Sequence, residues 1–265
     1  PAHANTIYYL TKIPNLEIYD LKASNGIKYL KAEKSFRVGF RENNVQCDKT
    51  SKNSIKKKFN IIKKNIDKKD KNFLKKINLK YIVLCENLKV AKIKTAGVPN
   101  HDMKTLIIDI KFDEKHFERS MHHELFHIVE ESHKSLFSYK KWEKFNSPRF
   151  KYAKCSTCTN KLDYTLIDNT KGFLTEYSMS TASEDMAEIF SFLMTKKKKL
   201  KSIVLNDPIL NKKTIFLKNV VQNTNFKGRW QILQHKPLVI CDTAHNKEGL
   251  SFVMNQLASL TFNKL

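Results

Sequence analysis

The chain has 265 residues, 41% of them apolar, which suits one generous domain or a domain plus a fragment and excludes wholesale disorder. Lys and Arg number 49 against 26 Asp and Glu, a formal charge of +23, yet only five of the basic residues are arginine (Arg37, Arg41, Arg119, Arg149 and Arg229). Arginine dominates bidentate phosphate and base readout, and here a lysine excess travels with Asn and Ile throughout, so the charge reads as a solvated surface and not as a specific nucleic-acid footprint.

In chain order, the opening Pro1-Ala2-His3-Ala4 lacks a cationic, apolar leader. That favours the cytoplasm over secretion, although a trimmed secreted chain would look the same. Residues 1–50 show only weak mixed α/β patterning. Over 51–78, Phe59, Ile62, Ile66, Phe73, Leu74 and Ile77 recur near helical spacing between lysines, which predicts an amphipathic helix or helix pair. Leu79–Leu84 and Thr105–Ile110 read as strands, with turn chemistry at Pro99-Asn100-His101-Asp102. A helix is predicted over 114–131 and another over 182–195. Between them, 133–172 is irregular and aromatic. The lysine run 196–199 looks like a boundary, followed by a tail with a strand at 238–241 and a helix over 247–260. No apolar run approaches the roughly 18 residues of a membrane span. Five cysteines are too few for a disulfide scaffold, and Cys155-Ser-Thr-Cys158 reads as a local disulfide or two reduced thiols, being only half of a structural zinc site.

The chemistry concentrates in His123-Glu124-Leu125-Phe126-His127. Residues i and i+4 share a helix face, so both imidazoles can reach one ion. Zn²⁺ accepts neutral imidazole nitrogen and keeps a position open for water. Glu124, beside the first histidine, can take a proton from that water. Phe117, Met121, Leu125, Phe126, Ile128 and Val129 give the helix apolar faces. His122 points about 100° away and reads as an outer or surface residue. Glu130 shares the histidine face three residues past His127 and could support the site, but a solvated glutamate is the favoured reading.

A catalytic zinc needs a third protein ligand, and the second helix offers Glu184 and Glu188, one turn apart. Thr181-Ala-Ser-Glu184 is also a capping box, so Glu184 has a purely structural alternative. A glutamate at the start of an apolar helix needs a strong partner, which favours Glu184 as the ligand and Glu188 as a group orienting a ligand histidine. The reverse assignment stays open.

The His-Glu-x-x-His helix with Tyr177-x6-Glu184-x2-Ala-Glu188 resembles zincin metallopeptidases with a glutamate third ligand, the gluzincin type. Within these it is similar to the anthrax lethal factor catalytic domain and to the putative zinc-binding metallopeptidases. The resemblance covers about residues 75–195. It implies Glu184 as third ligand and Tyr177 as a donor to the oxyanion of the tetrahedral intermediate. It also implies an α+β fold, with an active-site helix packed on a small mixed sheet and a sheet edge near the substrate.

In the tail, Arg229, Asp242, His245 and Gly249 resemble a stretch of the folylpolyglutamate synthases of the Mur ligase family, where the positions matching Arg229, Asp242 and His245 touch ATP. The six glycines carry no phosphate-loop spacing, so this segment is expected to be non-catalytic. The expected organisation is a metallopeptidase-like domain over 1–199 and a short α/β fragment over 200–265. The expected function is a zinc-dependent peptidase acting on peptide or protein substrates, with no specific nucleic-acid partner and no membrane span. The alternatives are an inactive zincin-like binding protein and, less favoured, an ATP-dependent ligase fragment.

Overall fold

The computed structural model describes residues 16–20, 23–38, 44–112, 115–160, 162–167 and 171–224, with the backbone of strands at 231–235 and 238–241. Two compact units divide the chain, Pro1–Val220 and Val221–Leu265.

The weakly patterned N-terminal segment contributes four strands, β1 (Leu16–Asp20), β2 (Lys28–Ala32), β3 (Phe36–Val38) and β4 (Val45–Asp48). The lysine-rich stretch forms the expected helix pair, α1 (Lys52–Ile66) and α2 (Lys71–Lys76). Ser51 caps α1 by accepting from the Ser54 N–H at 3.2 Å, and Asp70 caps α2 through the N–H groups of Asn72 and Phe73. Ile55, Ile62 and Ile66 are buried at helical spacing, which turns most of the lysines outward.

The remaining strands of the first unit are β5 (Tyr81–Val90), β6 (Ile93–Lys94), β7 (Gly97–Asn100) and β8 (Thr105–Asp109). They join β1–β4 in an eight-stranded sheet, mixed as expected but larger than expected because residues before 50 supply half of it. The N-terminal half of β5 lies parallel between β2 and β8. Both its faces are covered, so Tyr81–Cys85 reads as one continuous apolar run. Its C-terminal half leaves that layer and pairs antiparallel with β4 and β6. A disulfide joins Cys47 of β4 to Cys85 of β5 within the buried core, a pairing that the cysteine count did not suggest. β7 runs antiparallel to β8 and no strand covers its other side among the described residues. Pro99 and Asn100, expected in a turn, belong to β7. Proline is tolerated there because the strand is an edge, and the turn begins at His101.

Helix α3 (Phe117–Ser132) packs against β7, β8 and a second long helix, α5 (Ala182–Thr195). A short helix α4 (Tyr139–Glu143) and irregular chain connect them, with Cys155 and Cys158 joined as a disulfide in a loop. Thr181 caps α5, accepting from the Glu184 N–H at 3.2 Å.

The lysine run read as a boundary is the start of α6 (Lys197–Val204), followed by α7 (Pro208–Asn223). Lys213 of α7 is fully buried. Its ammonium donates to Asp185 Oδ2 and to the Gly172 carbonyl, each at 2.7 Å, and sits 3.8 Å from the Phe173 ring centre. The first compact unit therefore runs to Val220, past the boundary expected at residue 199. In the second unit, β9 (Gln231–His235) and β10 (Leu238–Cys241) form an antiparallel pair. The helix expected over 247–260, and Arg229, Asp242, His245 and Gly249, lie outside the described residues. Among the described residues, no helix is long and apolar enough to cross a membrane.

Candidate metal centre

Helix α3 is unusual in burying polar as well as apolar side chains: Arg119, His122, His123, Glu124 and Glu130 are all buried. Burying so many ionisable groups is costly unless each has a partner. Most find theirs on α5.

His123 and His127 stand one turn apart, as the spacing requires, and Glu184 reaches them from the first turn of α5. Glu184 Oε2 lies 2.8 Å from His123 Nε2 and 3.2 Å from His127 Nε2, and the two Nε2 atoms are 3.3 Å apart. Ligand atoms of these three residues all fall within 4.8 Å of one another.

The other side of each ring explains this convergence. His123 Nδ1 is 2.9 Å from Glu188 Oε1, and an ionised carboxylate only accepts, so Nδ1 is the protonated nitrogen. His127 Nδ1 faces Glu130 Oε2 at 3.4 Å and Ser183 Oγ at 3.2 Å, and Ser183 itself donates to Glu130. Neutral imidazoles held this way point two Nε2 lone pairs at one carboxylate oxygen. Such a cluster could hold a cation in place of the protons that otherwise lie between the two rings and the carboxylate. An N, N, O donor set of this kind suits zinc.

The charges agree. Burial works against protonation of His123, but hydrogen bonds and charge from Glu184 and Glu188 outweigh it and raise its pKa to about 9. His127 moves the same way, burial again being outweighed by Glu184 and Glu130. Glu184 is held well below the usual carboxylate range, its burial offset by the two histidines. The pocket thus favours positive charge at its centre.

Around this cluster stand the other expected site residues. Glu124 is buried, and desolvation raises its pKa against the pull of His123 and His127. The Tyr177 ring lies 5.8 Å from the His123 ring, carried on a single 3-10 turn just before α5. That turn is pinned by Ser180, whose N–H and hydroxyl both donate to the Tyr177 carbonyl, at 3.0 and 2.7 Å. Burial, then the charge of Glu184, pushes the Tyr177 phenol far above its ordinary pKa, so it remains an O–H donor. Glu188 is buried beneath His123. Its second oxygen accepts from Arg119 Nη1 at 2.5 Å and from Thr175 Oγ1 at 3.1 Å.

Two expectations are corrected. Glu130 is buried against His127 and Ser183, not solvated, because the N-terminus of α5 closes over it. His122 is neither at the surface nor beside the cluster. It is buried between α3 and α1, with Nε2 3.1 Å from Asn65 Oδ1, and burial lowers its pKa to about 3.

Two further residues were not foreseen. Arg119 joins Glu188 to the Tyr164 carbonyl, to which Nη2 donates at 2.8 Å. Its position one turn before His123 on the same helix was the available signal. Tyr164 stacks its ring 4.5 Å from that of Tyr177 and lies 6.4 Å from His123. It comes from irregular chain with no periodicity to mark it.

A profile of the family described as putative zinc-binding metallo-peptidase matches residues 61–241. No curated protein matches the chain. The fold is similar to that in the crystal structure of a putative zinc-binding metallo-peptidase from Bacteroides caccae ATCC 43185. The TM-score is 0.51 at 15% identity, over 84% of this chain and 85% of that one. The profile spans most of the chain and includes both helices of the cluster, so the chain belongs to the family of putative zinc-binding metallo-peptidases.

Proposed function

We propose that the chain is a zinc-dependent peptidase of the gluzincin type, with His123, His127 and Glu184 as the metal ligands. The observation that carries this is the convergence of both Nε2 atoms on Glu184 Oε2 while carboxylates hold both Nδ1 atoms. Bound there, zinc supplies Lewis acidity toward a water molecule and a substrate carbonyl.

The protein's own groups do the rest. Glu124 takes the proton of the attacking water and delivers it to the leaving amine; a carboxyl whose pKa is raised by burial is suited to both halves of that task. The Tyr177 O–H donates to the carbonyl oxygen as it becomes negative. Glu188 and Glu130 keep the two imidazoles in the tautomer and orientation that present Nε2. The edge of β7, uncovered among the described residues, would let an extended peptide lie beside Glu124.

Glu124→Gln tests the assignment. It is expected to retain zinc and lose peptide cleavage by at least ~10²-fold. Cleavage at the wild-type rate would contradict the role given to Glu124. Zinc bound by a wild-type protein that cleaves no peptide library would leave a binding protein.

A further inference from the structure

We propose that Gly97 is a positioning residue for Glu124. Its bare α-carbon leaves the space that the Glu124 side chain fills, and so determines where the carboxylate stands beside the histidine pair. This rests on the zinc-peptidase role proposed for the site.

A Cβ built on Gly97 would lie 2.7 Å from Glu124 Cγ, 3.2 Å from Glu124 Cδ and 2.9 Å from the Ile107 carbonyl oxygen. Carbon atoms not bonded to each other prefer about 3.5–4.0 Å, so something must move. The Ile107 oxygen belongs to β8, whose register with β7 pairs Val98 with Ile107 and Gly97 with Ile108. Gly97 itself is held on both sides. Ala96 accepts from the Asp109 N–H at 2.9 Å, and Thr95 Oγ1 donates to the Gly97 carbonyl at 3.0 Å. The 2.7 Å contact falls on the Glu124 side chain, which has rotamer freedom. The 2.9 Å contact with the Ile107 oxygen can be relieved only by a small shift of the β7–β8 pair. Both changes alter where Glu124 stands relative to the edge strand.

The backbone does not explain this glycine. Left-handed φ values occur at Gly26 and Gly172, and Gly97 is not among such residues, so an L-residue could adopt its conformation. What the position excludes is a side chain. The edge strand can therefore approach α3 closely enough for its first residue to abut the proposed proton acceptor. A displacement of about 1 Å in a catalytic group costs on the order of 10²-fold in rate.

The test begins with Gly97→Ala in the zinc-loaded full chain. The expected result is kcat lower by about 10²-fold with KM within a few-fold of wild type, and about one zinc per chain retained. A kcat within about threefold of wild type in folded, zinc-loaded protein would overturn the proposal.

Should Gly97→Ala fail to fold, a second measurement decides. Gly97 is the one glycine that follows an alanine, so ¹³C-carbonyl alanine with ¹⁵N-glycine labelling isolates its amide resonance. Glu124→Ala is expected to shift that resonance well beyond those of Gly26 and Gly172. An unmoved Gly97 resonance would overturn the proposal. This second measurement needs no turnover. A wild-type protein without cleavage would sink the peptidase assignment and still leave the Gly97–Glu124 contact decided.

Discussion

Glu188 holds His123 and Arg119 at once: one carboxylate oxygen lies 2.9 Å from His123 Nδ1 and the other 2.5 Å from Arg119 Nη1. All three groups are buried, so the carboxylate both orients an imidazole and neutralises a guanidinium inside the protein. Glu188→Gln is expected to weaken zinc binding by about 10–100-fold, measured by chelator competition. Unchanged affinity would remove its orienting role. Glu188→Ala also leaves Arg119 uncompensated, and chemical denaturation should show a loss of about 3–5 kcal/mol.

The Asp185–Lys213 pair makes a similar demand one residue beyond Glu184. Asp185 Oδ2 accepts from Lys213 at 2.7 Å, from the Tyr152 hydroxyl at 2.6 Å and from Trp142 Nε1 at 2.9 Å, and both charged side chains are fully buried. Lys213→Ala should cost about 3–5 kcal/mol in denaturant melts, because it strands a buried carboxylate. A loss below about 1 kcal/mol would mean that the pair does not lock α7 onto α5.

Glu86 supplies a pH dependence away from the centre. Burial pushes its pKa up, but Lys111 and the N–H and hydroxyl groups at the start of α1 outweigh this and bring it from 4.5 to about 2. The folded form therefore holds the ionised carboxylate more strongly than the unfolded chain does. The stabilisation is present above about pH 4.5 and is lost as pH falls through about 2. Denaturant melts of wild type and Glu86→Gln should differ most above pH 4.5 and converge in stronger acid. A difference that does not change with pH would contradict the assignment.

The parts of the fold legible in the sequence were those with local causes. Helix α5 runs over Ala182–Thr195 as predicted because Thr181 caps it and its apolar residues repeat at helical spacing. The two histidines share a face because four residues make about one turn. The strands before residue 50 were read only weakly: they are short, and their pairing with β5 is a tertiary event. Glu130 looked solvated because nothing local announces that the N-terminus of α5 will cover it. Tyr164 reaches the site from 41 residues beyond His123 through irregular chain. The lysine run 196–199 looked like a boundary because what ties the chain beyond it to the rest of the first unit, the Lys213–Asp185 pair, spans 28 positions in sequence.

The most direct test of the central claim is the zinc content of purified protein, compared between wild type and His123→Ala. With His123, His127 and Glu184 as ligands, wild type carries about one zinc per chain, and His123→Ala carries almost none while remaining folded. A folded wild-type protein without zinc, or a His123→Ala variant that keeps its full complement, would contradict the account.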